Sequence, residues 1–161
     1  LEPLIPALRR YAYALLRDHD AADDLVQDTL ERALSRWRLR RPDGDLRAWL
    51  FTIQRNLFVN AWRQRQRQGP HASLDDVALP GTAAQQESGL EVQDVLAALD
   101  QLPEEQKSLL LLIGVEDFSY DDAARILGVP MGTVMSRLSR GRQKLRSSLE
   151  TGRATLLRRV K

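Results

Sequence analysis

Phe118-Ser-Tyr-Asp-Asp-Ala-Ala-Arg-Ile-Leu-Gly128 is followed, after Val129-Pro130-Met131, by Gly132-Thr-Val-Met-Ser-Arg-Leu-Ser-Arg-Gly-Arg-Gln-Lys-Leu-Arg146. Ser119, with Asp122 three residues on, is a variant of the capping box and starts a helix. Ala123, Ala124, Ile126 and Leu127 continue it, and Gly128 ends it. Pro130 suits the first turn of the next helix, predicted from about Met131 to Leu149. A short helix with small residues, a glycine turn and a basic second helix form a helix-turn-helix pattern. Ala124 is expected to let the two helices cross closely. Val134, Leu138, Leu145 and Leu149 fall on the core side of the second helix. Thr133, Ser136, Arg137, Arg140 and Lys144 fall on the other. Hydroxyls and arginines at the start of such a helix suit base edges in a major groove. Arg142, Lys144 and Arg146 suit phosphates. The alternative is a plain helical hairpin with a basic exposed face.

Upstream, Leu109-Leu-Leu-Leu-Ile113 is apolar almost all round, which implies a helix over 104–113 buried on several sides. Before it, Val95, Leu96, Leu99 and Leu102 mark a helix that stops ahead of Pro103. Residues 69–92 have scattered Gly, Pro, Ser and Gln, carry four acids and no base, and lack a helical apolar period. They read as an acidic linker. The chain then divides into 1–68, the linker 69–92, and 93–161. The expected fold class is all-α: two small helical domains joined by a flexible linker, the second containing the helix-turn-helix.

The first domain shows apolar spacings of four at Leu4, Leu8, Tyr11 and Leu15. A second helix places Leu25, Val26, Leu30, Ala33, Leu34 and Trp37 on one face, with acids near its start favouring the helix dipole. Pro42-Asp43-Gly44-Asp45 is a turn signal. A third helix, about 46–67, has a core face of Leu46, Trp49, Leu50, Ile53 and Leu57. Beside it runs a stripe of Phe51, Phe58 and Trp62 interleaved with Arg55, Asn56, Asn60 and Arg63. Aromatics, arginines and amides together meet the needs of single-stranded nucleic-acid recognition. The same aromatics could equally be core.

The 161 residues carry a formal charge of only +2, yet the charge is segregated. Residues 18–31 hold six acids and no base, 32–67 ten Arg against two Asp, 93–122 eight acids and one Lys, and 136–161 nine bases and one acid. Two basic segments separated by acidic ones point to two polyanion-binding surfaces, or else to solvated helix faces of alternating sign. With no Cys and two His, disulfides, thiolate metal sites and histidine metal clusters are not expected. No phosphate loop or nucleophilic triad occurs, so no catalytic residue, cofactor or metal is assigned. No membrane span or signal peptide is visible, and a cytoplasmic location is expected.

These motifs resemble, in order and over nearly the whole chain, the extracytoplasmic-function sigma factors of the sigma-70 class. Asp20-Ala-Ala-Asp-Asp-Leu-Val-Gln-Asp-Thr-Leu-Glu-Arg-Ala-Leu34 looks like their polymerase-binding helix, and Leu46-Arg-Ala-Trp-Leu-Phe-Thr-Ile-Gln-Arg-Asn-Leu57 like their promoter-melting helix. Leu102-Pro-Glu-Glu-Gln106 resembles the opening of their second DNA-binding domain, and the stretch quoted first resembles its helix-turn-helix.

The resemblance implies a non-catalytic subunit that binds core RNA polymerase, reads a −35 duplex and melts a −10 element of promoter DNA. It also implies control by an anti-sigma factor, often membrane-bound. Carried over by position, Asp24, Gln27, Asp28 and Glu31 would bind polymerase. Arg40, Arg41, Asp43 and Asp45 would form the base-capturing loop, and Arg55, Asn56, Asn60 and Arg63 would complete the −10 surface. Thr133, Ser136, Arg137, Ser139, Arg140 and Lys144 would contact the −35 element. Met135, where the family is often polar or basic, and Gly141, inside the recognition helix, depart from the pattern. The competing readings are a free-standing helix-turn-helix repressor or activator, and a polymerase-associated regulator that never opens DNA.

Overall fold

A computed structural model describes residues 1–67 and 90–160, with side chains over 1–67 and 92–151. Most of the predicted linker, including Asp75 and Asp76, lies outside the described residues. Among those described there is no strand, and the chain is all-α. Its helices are α1 (Ile5–Leu16), α2 (His19–Ser35), α3 (Leu46–Arg67), α4 (Leu90–Asp100), α5 (Glu104–Leu110), α6 (Tyr120–Leu127) and α7 (Met131–Val160).

Local chemistry sets most boundaries. Asp18 caps α2 by accepting from the N–H groups of Asp20 at 2.9 Å and Ala21 at 3.2 Å, satisfying donors that have no partner within the helix. Asp45 does the same at the start of α3, accepting from Arg47 N–H at 3.0 Å and Ala48 N–H at 3.3 Å. Ser119 caps α6 through the Asp122 N–H at 3.0 Å. Gly128 ends α6 with φ +67°, a left-handed conformation that glycine adopts without strain. The carbonyl of Pro130 then accepts from Thr133 and Val134, opening α7.

Several sequence expectations shift by a turn or a face. α2 ends at Ser35, so Leu34 is 63% exposed rather than core. Trp37 falls in a short 3-10 turn and packs edge-on against Trp49. The predicted 104–113 helix ends at Leu110 and widens into a π turn over Leu111–Val115, where Glu116 N–H bonds the Leu111 carbonyl at 3.0 Å. α7 runs eleven residues beyond Leu149, to Val160. Ala123, not Ala124, is the fully buried alanine of α6. Gly141 is buried where α5 crosses α7, and a Cβ there would lie 3.3 Å from Gln106 Cβ.

α1, α2 and α3 form one unit, and α4 to α7 another, with α5 and α6 against α7. The two units also pack on each other. α3 meets α6, and α1 meets α5 and the π turn. Tyr11, Phe51 and Phe118 form a chain of ring contacts across the junction, at 5.3 Å and 5.0 Å between centroids. Burying a Phe side chain contributes about 1.5–3 kcal/mol, so Phe118 ties the units into one apolar cluster.

Candidate nucleic-acid interface

The start of α7 brings five of the six predicted −35 residues to one cleft. Thr133, Ser136, Arg137, Arg140 and Lys144 line a 710 Å³ depression closed on its far side by Pro103 and Gln106. Spacings of three and four put them on one helix face. Arg140 and Lys144 are exposed, whereas Arg137 is drawn down to Glu105, to which Nη1 donates at 2.8 Å. Ser139, the sixth, is exposed on the neighbouring face, beside Met135 and Arg142. Met135 is itself 52% exposed, an apolar group presented where its neighbours are polar or basic.

The first unit separates what the sequence stripe interleaved. Phe51, Phe58 and Trp62 are buried, so they are core and not a stacking platform. Asn56, Asn60 and Arg63 are exposed along α3. Arg55 is turned the other way and is only 3% exposed. The predicted base-capturing loop lines a separate 290 Å³ cleft between Leu39 and Trp49, with Arg40, Arg41 and Asp45 in its wall. Arg40 stacks over the Trp37 ring at 4.0 Å, which holds a cation on an aromatic face. Arg41 and Asp43 are exposed, while Asp45 spends one carboxylate oxygen on capping α3.

Asp24, Gln27, Asp28 and Glu31 are all exposed on α2, and the Gln27 amide donates to Glu31 at 3.4 Å. Asp24 and Asp28 share a 530 Å³ cleft with Asn60, Trp62 and Arg65 of α3. The predicted polymerase-binding acids therefore lie next to one of the predicted −10 residues.

What sequence reasoning missed is a belt of ion pairs between the units. Arg55 donates to both oxygens of Glu104 (Nη2 to Oε2 at 2.7 Å), to Ser108 Oγ at 2.9 Å and to Glu105 at 3.1 Å. Arg10 holds Glu116 with two bonds at 2.8 and 2.7 Å, and Arg47 approaches the same carboxylate at 3.4 Å. Arg17 pairs with Asp100, which also accepts from Lys107 at 2.8 Å. The one available signal was Lys107, the single base among eight acids in 93–122. Burial pushes its ammonium below the usual lysine range, against the pull of Asp100. The bond to Glu116 raises Arg10 further. Burial raises the Tyr11 phenol, although the nearby Arg55 works against it.

Among the described residues no cluster of His, Cys, Asp or Glu could hold a metal, and no helix is long and apolar enough to cross a membrane. Comparison with known proteins bears on both units. Residues 1–54 match the "Sigma2 domain of PhyR" family and residues 93–145 match "Sigma-70, region 4". The chain is 43% identical over 145 residues to the ECF RNA polymerase sigma factor EcfG of Rhodopseudomonas palustris (strain TIE-1), covering 90% of this chain and 80% of that protein. It is similar to the sigma factor RpoE of Bartonella quintana, solved in complex with the anti-sigma factor NepR. That match has 40% identity and a TM-score of 0.78, and covers 93% of this chain and 94% of the other. It is also similar to CnrH in complex with the cytosolic domain of CnrY, at 28% identity and TM-score 0.67, covering 90% and 81%.

Proposed function

The chain belongs to the extracytoplasmic-function (ECF) RNA polymerase sigma factors, non-catalytic specificity subunits, and from that premise we propose how its surfaces divide the work of starting transcription. The α6–α7 helix-turn-helix reads the −35 duplex through Thr133, Ser136, Arg137, Ser139, Arg140 and Lys144. Asn56, Asn60 and Arg63 on α3, with Arg55 once it is uncovered, engage the −10 element. The loop bearing Arg40, Arg41, Asp43 and Asp45 captures an unstacked base, which offsets an unstacking cost of a few kcal/mol. Asp24, Gln27, Asp28 and Glu31 dock on core polymerase through charge-assisted hydrogen bonds.

The observation that supports this reading most is the α7 cleft. It gathers two hydroxyls, two arginines and a lysine on one face of a helix whose partner α6 is capped and stopped as a helix-turn-helix requires. An anti-sigma factor is the further partner we assign, because the similar sigma factor of Bartonella quintana was solved with one. We assign the activity to the cytoplasm because the reading requires core polymerase and promoter DNA as partners.

Run-off transcription with core RNA polymerase, this chain and a fragment library of the host genome tests the reading. Discrete start sites that need the chain, and that align on shared −35 and −10 elements, are expected. Tight duplex binding without transcription would overturn it in favour of a free-standing regulator, with a palindromic site as its mark.

A further inference from the structure

The second flank of α7 carries two methionines that the promoter reading leaves without a role. Met131, Met135, Ser139, Arg142 and Arg146 recur at spacings of four, four, three and four, which puts them on one face of the helix. That face is not the one over the cleft of Thr133, Arg137, Arg140 and Lys144. It borders α6, where Tyr120, Met135, Ser139, Arg142 and Arg146 line a separate 500 Å³ depression. Met131 is 37% and Met135 52% exposed. Gly132, between them in the chain, is also exposed, with no atom within 4 Å of where a Cβ would stand. On this flank the start of α7 is apolar and bare, and the turns after it are basic.

We infer that Met135 reads the C5-methyl of a thymine in the −35 duplex, with Met131 beside it, and that this flank sets a sequence preference which the hydroxyls and arginines of the cleft do not. The inference rests on the promoter reading above and adds a specificity determinant to it.

A recognition helix brings its N-terminal residues to base edges. The major groove offers hydrogen-bond donors and acceptors there, and one apolar group, the thymine methyl. A methionine thioether carries no charge and is only a weak acceptor, so it gains little against a phosphate or a guanine edge. Against a methyl it removes apolar area from water on both sides, and its unbranched, flexible end adapts to where the methyl stands. Helical side chains lean toward the N-terminus, so Met135 extends over the turn of Gly132, where the missing side chain lets a base pair come close. Arg142 and Arg146, two and three turns further on, are exposed and suit phosphates on the same side. Scattered surface apolar residues need no explanation. Two at the start of a DNA-facing helix, continuous with a stripe of arginines, have one in the thymine methyl.

Holoenzyme formed from core RNA polymerase and the full chain tests this on the promoter fragments recovered by run-off transcription. Each thymine of the −35 element, on either strand, is replaced in turn by deoxyuridine, which pairs alike and lacks only the methyl. At one position the wild-type holoenzyme is expected to bind about fourfold more weakly, the worth of one buried methyl-sized group. Met135→Ala is expected to bind the thymine fragment no more tightly than wild type binds the deoxyuridine fragment, and to lose nothing more on the exchange, a coupling that a double-mutant cycle isolates. Met135→Gln, similar in length but polar, is expected to be equally blind to the methyl. Because Met135 is half exposed, both variants are expected to keep the circular dichroism and urea midpoint of wild type.

A −35 element in which no deoxyuridine exchange weakens binding overturns the inference. So does a methyl effect of wild-type size in both variants, which would put the reader elsewhere. A Met135→Ala chain that loses affinity for core polymerase and keeps the methyl effect overturns it too, and makes the patch a polymerase contact. If no start site depends on the chain, the promoter reading itself fails and this inference falls with it. That outcome is read before any exchange is made, so the two failures stay distinct.

Discussion

Glycine inside a helix costs about 1 kcal/mol against alanine, and Gly141 sits within α7. Its neighbours explain it. A Cβ would lie 3.3 Å from Gln106 Cβ and 3.4 Å from Leu110 Cδ1, so the missing side chain is what lets α5 lie against α7. Gly141→Ala is expected to return well under the ~1 kcal/mol that an exposed helix would gain, and urea unfolding measures it. A full gain would mean that α5 shifts freely. Tyr11 makes a second residue-scale prediction. Its phenol is raised above the ordinary value of 10.0 by burial, so the native chain keeps a proton that the unfolded chain releases. Its contribution to stability is complete below pH 10 and is lost as the pH climbs through the raised value. Lys107 runs the other way, because its lowered ammonium costs stability that is regained as the pH approaches 10.5. Tyr11→Phe is therefore expected to flatten the loss of stability above pH 10, read as urea midpoints at pH 9 and pH 11. An equal loss in the variant would remove Tyr11 as the cause. The sequence exposes the helical cost of Gly141 and the apolar spacing of Tyr11. It hides the contacts of both, which come from helices remote in the chain.

Elements were the most legible level. Ser119 and Gly128 act where their types predict, because a cap or a left-handed turn is decided within three or four residues. The aromatic stripe of α3 was less legible. Phe51, Phe58 and Trp62 share a helix with Asn56 and Asn60, and only packing against α1, α2 and α6 decides which face is core. α2 shows the limit from the other side. Leu34 belongs to its apolar period, yet the helix ends one residue later and leaves the side chain outside. The acids of α2 need no tertiary information to be solvent-facing, and Asp28 is exposed as expected. Asp28→Lys is expected to leave the helix and the unfolding midpoint unchanged while abolishing polymerase binding, since like charge opposed across an interface costs several kcal/mol. Unchanged polymerase affinity would take Asp28 out of that interface.

At the scale of the whole molecule, two domains were legible and their contact was not. The acidic stretch 93–122 and the basic stretch 32–67 stood out as charge blocks, but pairing them requires the fold, since Arg55 and Glu104 are 49 residues apart. The contact surface in turn depends on the π turn after α5. Five residues at α-helical pitch, about 100° each, would carry Glu116 round away from Arg10 and Arg47. The wider turn slows that rotation and delivers Glu116 and Phe118 to the first unit. A π turn is an α-helix that has absorbed one extra residue, and Gly114 is exposed there with no atom within 4 Å of where a Cβ would stand. Deleting Gly114 is therefore expected to be tolerated, with helicity and urea midpoint near those of wild type. The shortened turn would close with α-type bonds and still aim Glu116 the same way. Deleting a residue from α6, which has no such slack, would rotate Ile126 out of the core and is expected to unfold the second unit. At this one point in the chain, length is negotiable and direction is not.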